Sequence, residues 1–174
     1  MLHTTFSRLF GAGACTIGYR RLARSLGGIR VYGKDAPIPL SHIVESNGLQ
    51  DALWCLRAVV PGEEAEALRV SRLLALECAE RVLPVYERQY PNDPRVRDCL
   101  AITHRFLTGD ATKEELRLAR RASDAAYAAA DAYADAAYAA ADAAYADADA
   151  DAKARERKWQ TERFLVLLLD GGAL

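Results

Sequence analysis

The sequence predicts an all-α protein: a small helical domain followed by a long Ala/Asp/Tyr-rich helix, or helical hairpin, that packs back on it or on another copy. Three observations carry this. Apolar residues recur at three- and four-residue steps, as in Leu49, Ala52, Leu53, Leu56 and Val60, which is the period of one helix face. Start and stop signals are dense before residue 110. No glycine or proline then occurs between Gly109 and Gly171, so nothing punctuates the second half of the chain.

Taken in order, Thr16 is expected to cap a helix through 17–26 that stops at Gly27-Gly28, where a left-handed C-cap fits. The IRVYG run at 29–33 reads as a short segment for which extended backbone is one option. Pro37 and Pro39 exclude regular helix until Ser41, which is expected to cap a short helix ending at Asn47-Gly48. The helix from Leu49, with Trp54 on its flank, ends at Pro61-Gly62. Glu63, Glu64 and Glu66 then open the next helix at the positive end of its dipole, with Leu73, Leu76 and Leu83 on one side. Pro84 predicts a kink or interruption there. Asp93-Pro94 places an N-cap and an N1 proline before a helix that closes at Gly109.

Thr112-x-x-Glu115 is a capping box and opens a helical stretch over 113–169. At about 1.5 Å per residue this is a rod of about 85 Å if it is straight. If it bends, the ADADADA run at 146–152 is the expected place, because aspartate is a weak helix former and Asp147 and Asp151 repel at i, i+4. Leu, Ile, Val and Phe number 40 in the 174 residues, yet none falls between Leu118 and Phe164. The core must therefore come from the earlier helices and from the closing WQTERFLVLLL, which is apolar enough to dock. The expected organisation is a basic N-terminal extension (1–40), a helical core (41–110) and the long alanine-rich helix with its docking segment (111–174).

Net charge is only −1, but it is unevenly placed. Residues 1–50 hold six basic residues against two acidic ones, whereas 124–151 hold seven aspartates and no base. The acidic stretch is a repeat: DAAYAAA, DAYA, DAAYAAA, DAAYADA, over 124–148. A heptad plus a four-residue insertion makes eleven, which cancels most of the drift of strict heptads. At about 100° per residue, Asp124, Asp131, Asp135, Asp142 and Asp149 fall within about 20° of one line on a helix. Tyr127, Tyr138 and Tyr145 form a parallel stripe about 40–60° away on the same wheel, and alanine covers the rest. This pattern has two principal readings. Alanine can let another helix approach while aspartate solvates the edge. Alternatively, spaced carboxylates beside tyrosines form a recognition surface for a protein partner with a basic groove, since tyrosine offers large contact area at low entropy cost.

The chemistry-bearing residues do not assemble into a catalytic or metal motif. His3, His42 and His104 are far apart, no nucleophile or phosphate-loop motif occurs, and aspartates a heptad apart stand about 10.5 Å apart on a helix, too far to share one cation. No catalytic residue, cofactor or metal is therefore expected. Cys55, Cys78 and Cys99 sit in apolar helical stretches and read as small hydrophobes. Cys15, next to a helix start, is the one thiol in a setting that favours the thiolate. No run approaches the roughly 20 apolar residues of a membrane span, and the expected location is the cytoplasm. Arg20, Arg21 and Arg24 on one helix are candidate phosphate contacts, with nucleic acid ranking below protein as the partner. Self-association through the alanine face, giving a homodimer, is a further option.

SNGLQDALWCLRAV (46–59), then CAERVLPVYERQYPNDPRVRDCL (78–100), then an alanine-rich helix with regularly spaced aromatics, resemble the immunity protein family of bacterial and phage genomes over about residues 41–169. The opening 28 residues look like the extension of phage-associated members. The resemblance implies a protein that binds and neutralises a toxin or defence effector without catalysis. Two alternatives remain beside it: an anti-CRISPR-like nucleic-acid mimic whose carboxylates stand where phosphates would lie, and a nucleic-acid-binding accessory protein using the basic N-terminal helix.

Overall fold

The computed structural model describes residues 1–124 and 146–169, with backbone alone for 146–153. Their helices are α1 (Phe6–Gly11), α2 (Thr16–Ser25), α3 (Ile29–Tyr32), α4 (Leu40–Asn47), α5 (Leu49–Cys55) with a 3-10 turn at Leu56–Ala58, α6 (Glu64–Gln89), α7 (Arg95–Thr108), α8 (113–124) and α9 (Ala146–Leu169). The all-α class holds. The chain divides into two compact units, Met1–Leu74 with Lys158–Leu174, and Ala75–Arg157. Among the described residues, no helix is long and apolar enough to cross a membrane.

The first unit is tied together by its N-terminus. β1 (His3–Thr4) pairs antiparallel with β2 (Ile38–Pro39), with Thr4 opposite Ile38, and Thr4 also bridges Val59. Val60 N–H donates to His3 C=O at 2.9 Å, and the fully buried Thr4 hydroxyl donates to Ala58 C=O at 2.5 Å. This pairing was not legible in the sequence, because two-residue strands are too short to show a period. Around it, Phe6, Ile38, Leu40, Ile43, Val59, Val70 and Leu73 are buried together with Phe164, Leu167 and Leu168 from the end of α9. The closing apolar run does dock, as its composition requires.

Several local expectations are corrected. Residues 29–32 form a helical turn, not an extended segment: Gly28 (φ 98°) and Gly33 (φ 102°) bracket it in conformations open chiefly to glycine. Cys15, not Thr16, is the N-cap of α2, its Sγ accepting from Gly18 N–H at 3.3 Å. α4 begins at Leu40 after Pro39, one residue before Ser41. α5 yields to a 3-10 turn after Cys55, well before Pro61. Pro84 lies inside α6, which nevertheless runs on to Gln89 without interruption. Residues 146–152 belong to α9 rather than to a bend; the propensity deficit of each aspartate is a few tenths of a kcal/mol. The question of one straight rod or a hairpin over 125–145 lies outside the described residues.

The second unit relies on polar staples where the first uses apolar burial. No residue of α7 is fully buried. At the α6–α7 turn, Asp93 accepts from Arg95 Nε at 2.8 Å and Nη2 at 2.6 Å, from Tyr86 OH at 3.0 Å, and from Arg95 N–H at 3.1 Å; the N-cap position of α7 falls on Pro94, one residue later than the expected Asp93. Arg97 reaches back to Glu87 at 2.7 Å, and Arg81 donates to Glu156 at 2.9 Å. The expected capping box forms in full, Thr112 N–H to Glu115 at 2.7 Å and Glu115 N–H to Thr112 Oγ1 at 3.2 Å, after Gly109 closes α7 at φ 88°.

Hydrogen bonds from Arg95 hold the Asp93 carboxyl well below the usual carboxylate range. A depressed folded-state pKa contributes stability that is full above the unfolded value near 3.9 and is lost as pH falls below it. Melting followed by circular dichroism between about pH 6 and pH 2.5 is therefore expected to show a steeper acid loss of Tm for the wild type than for Asp93→Asn. Equal slopes would remove Asp93 as the acid-sensitive staple.

Candidate functional site

The acidic and tyrosine stripe lies mostly outside the described residues: Asp131, Asp135, Asp142, Tyr127, Tyr138 and Tyr145 all fall within 125–145. Asp124 is exposed at the end of the described part of α8, and Asp149 is placed by its backbone on α9. The geometry that would make these carboxylates one surface is thus a statement about the sequence.

The three candidate arginines divide. Arg20 and Arg24 lie one turn apart on the exposed side of α2 and, with Ala23, Gly27 and Gly28, line an open cleft. Arg21 instead donates to Asn47 C=O at 3.4 Å, tying α2 to the end of α4. Ile17 (75% exposed), three and seven residues before Arg20 and Arg24, shares their helix face.

A cavity of about 130 Å³ opens between α2, α4 and α5. Its walls are largely apolar, with Leu22, Ile43 and Trp54 among them, and its polar residues include Asn47, Gln50 and Asp51. Two features shape it. Asn47 Nδ2 donates both to Gly18 C=O at 2.9 Å and to Asp51 Oδ2 at 2.8 Å, clamping α2 against α5. Gly18 makes this approach possible, because a Cβ there would stand 2.7 Å from Asp51 Oδ2 and 3.2 Å from Cys15 Sγ. The Arg57 guanidinium lies 5.1 Å from the centre of the Trp54 ring.

In the sequence Asn47 reads only as a helix stop and Trp54 only as a flank, and Asp51 and Gly18 carry no motif. Residues 18 and 51 are brought together by helix packing, so no local spacing signals them. The Gly18 position in a run of good helix formers was the available clue to a close approach.

Two surface pairs complete the survey. His3 Nδ1 lies 2.9 Å from Glu63 Oε1, whose other oxygen accepts from His3 N–H at 2.6 Å; this pair ties β1 to the segment before α6. Ser25 Oγ lies 2.9 Å from His42 Nε2 and 2.9 Å from Leu22 C=O, so the hydroxyl is shared with a helix carbonyl on an exposed face. No cluster of three or more His, Cys, Asp or Glu groups able to hold a metal ion occurs among the described residues.

Burial, together with the negative charge of Asp51, pushes the Cys55 thiol up to about 12. Burial also raises Cys78, reinforced by Glu156 and Glu77. Cys15 is exposed.

The fold and its surfaces define a class, a small all-α protein whose charge is sorted into a basic head and an acidic repeat. Residues 69–148 match the family model of the Imm-5 like putative immunity protein. The resemblance read from the sequence holds over that segment, which includes α7, the capping box and the acidic repeat through Asp147. Comparison with curated proteins and with solved structures returns no match.

Thiol alkylation of the native protein is expected to mark Cys15 first and Cys55 last, by at least tenfold in rate, because only a thiolate reacts and Cys55 is both buried and held protonated. Peptide mass spectrometry over a time course reads this directly. Comparable rates at the two positions would contradict the placement of Cys55 in the core.

Proposed function

We propose that this protein is a stoichiometric, non-catalytic inhibitor that binds and neutralises a protein partner, a toxin or defence effector, through the acidic, tyrosine-bearing repeat. The observation that carries this reading is the family match over 69–148, which contains the repeat and implies protein binding in general. Charge supports the choice of surface. Seven aspartates without a base over 124–151 give a field that speeds encounter with a basic groove, and interleaved tyrosines supply the contact area that carries affinity at interface centres. The cytoplasm is the proposed place of action.

A second reading is favoured by one specific observation. Arg20 and Arg24 are exposed on α2 and form no ion pair among the described residues. This leaves an anion-binding face on the N-terminal unit, and nucleic acid is the partner it would take.

The two readings separate by charge substitution. A pull-down from host lysate with nuclease-treated controls, read by mass spectrometry, is expected to recover a protein with the wild type that is lost with the Asp131→Asn, Asp135→Asn, Asp142→Asn variant. The purified pair should lose tenfold or more in affinity, on the order of 1.4 kcal/mol, with weaker binding at high salt. Retained binding by that variant, with loss in an Arg20→Ala, Arg24→Ala variant and after nuclease treatment, would favour the second reading.

A further inference from the structure

We infer that the cavity between α2, α4 and α5 is a preformed site for a cationic headgroup, an alkylammonium or guanidinium, held by the Asp51 carboxylate against the Trp54 ring. The site lies in the N-terminal unit, outside residues 69–148, and goes beyond the inhibitory reading of the acidic repeat.

The observations converge from three sides. First, Asp51 is a half-buried carboxylate that lines the cavity and accepts from Asn47 Nδ2 at 2.8 Å, and among the described residues no cation lies within ion-pair distance of it. A partly desolvated carboxylate without a counter-charge is costly, and a bound cation removes that cost. Arg21, the basic residue tied to the same helix junction, donates instead to the Asn47 carbonyl. Second, the carboxylate shares the cavity lining with the aromatic residues Trp54 and Tyr19, and the Trp54 ring already takes one cation, the Arg57 guanidinium 5.1 Å from its centre. A carboxylate beside aromatic rings is the chemistry that recognises organic cations, since the ring quadrupole attracts the charge and the ring surface takes the alkyl stem. Third, the walls are fixed before any ligand arrives: Asn47 clamps Gly18 and Asp51, and the Asp51 carboxylate packs into the space a Gly18 Cβ would need. The volume of about 130 Å³ is below the roughly 300 Å³ at which drug-sized pockets begin. The occupant is therefore the size of one side-chain head.

The same chemistry has two sources, a free small amine or a lysine or arginine side chain presented by a protein, and the test separates them. The full chain is titrated with n-butylammonium, n-butylguanidinium and the neutral 1-butanol, following the Gly18 amide and the Trp54 indole N–H by two-dimensional NMR. Trp159, outside the cavity lining, is the internal control. Saturable shifts at Gly18 and Trp54 with both cations are expected, with Trp159 unmoved and with 1-butanol at least tenfold weaker. Asp51→Asn should weaken the cations about tenfold and leave the butanol affinity unchanged. Gly18→Ala, which displaces the carboxylate, should weaken the cations while the spectrum stays folded. If Asp51→Asn does not fold, the cation-to-butanol ratio of the wild type and its loss with added salt decide the matter. Equal binding of 1-butanol and the cations, shifts that fail to saturate, or a folded Asp51→Asn with full cation affinity would each overturn the assignment. Tighter binding of Nα-acetyl-lysine or Nα-acetyl-arginine methylamide than of the butyl cations would identify a protein side chain as the source; tighter binding of the butyl cations would identify a free amine.

Discussion

Burial of the two ends of the chain in one core is the constraint on which the first unit depends. Large aliphatic residues are missing between Leu118 and Phe164, so the last apolar run has nowhere to hide within its own neighbourhood. Phe164, Leu167 and Leu168 are buried in the unit that also holds Met1–Leu74. Full burial of such a side chain is worth about 1.5–3 kcal/mol, and three of them outweigh the cost of closing a loop of this length, which grows only logarithmically. The N-terminal strand has the same role at the other end. Its hydrogen bonds to β2 and to Ala58 and Val60 convert a dipeptide with no propensity argument of its own into the piece around which α1, α4 and α5 assemble.

The two units solve the folding problem with different materials. In the first, fully buried aliphatics and the Phe6 ring, set edge-on to Tyr19 at 5.4 Å and to Tyr32 at 6.3 Å, make a packed interior. In the second, the turn from α6 to α7 is organised by one carboxylate, Asp93, that satisfies a guanidinium, a phenol and a helix N-terminus at once. Burial and the bond to Asp93 raise the Tyr86 phenol, as the hydrogen bonds from Arg95 lower Asp93. Charge-assisted hydrogen bonds of this kind give geometry as much as energy, and they set the helix directions where α7 itself buries no residue fully.

The family match covers 69–148 and leaves the N-terminal unit's α1–α5 outside it. That unit has a preformed cavity, a clamp of Asn47 on Gly18 and Asp51, and a row of exposed basic residues beside Ile17. An inhibitor that recognises its partner by long-range charge and tyrosine contacts gains specificity from a second, short-range site, because discrimination depends on the difference between right and wrong partners rather than on total attraction.

The sequence by itself determined the helical class, several helix limits, the capping box at Thr112, the Gly109 stop and the docking of the closing apolar run. Each of these is written in residues within a few positions of one another, where the helical period and capping chemistry act locally. The family resemblance was legible for the same reason in the contiguous run at 78–100, which the family match covers. What only the tertiary structure decided are the pairings between distant positions: Thr4 with Ile38 and Val59, Gly18 with Asp51, and Asn47 with Gly18. Spacing along the chain cannot encode these, because they follow from which helix faces meet. The cavity that results is a property of packing, and its lining residues, read singly in the sequence, look like ordinary parts of amphipathic helices.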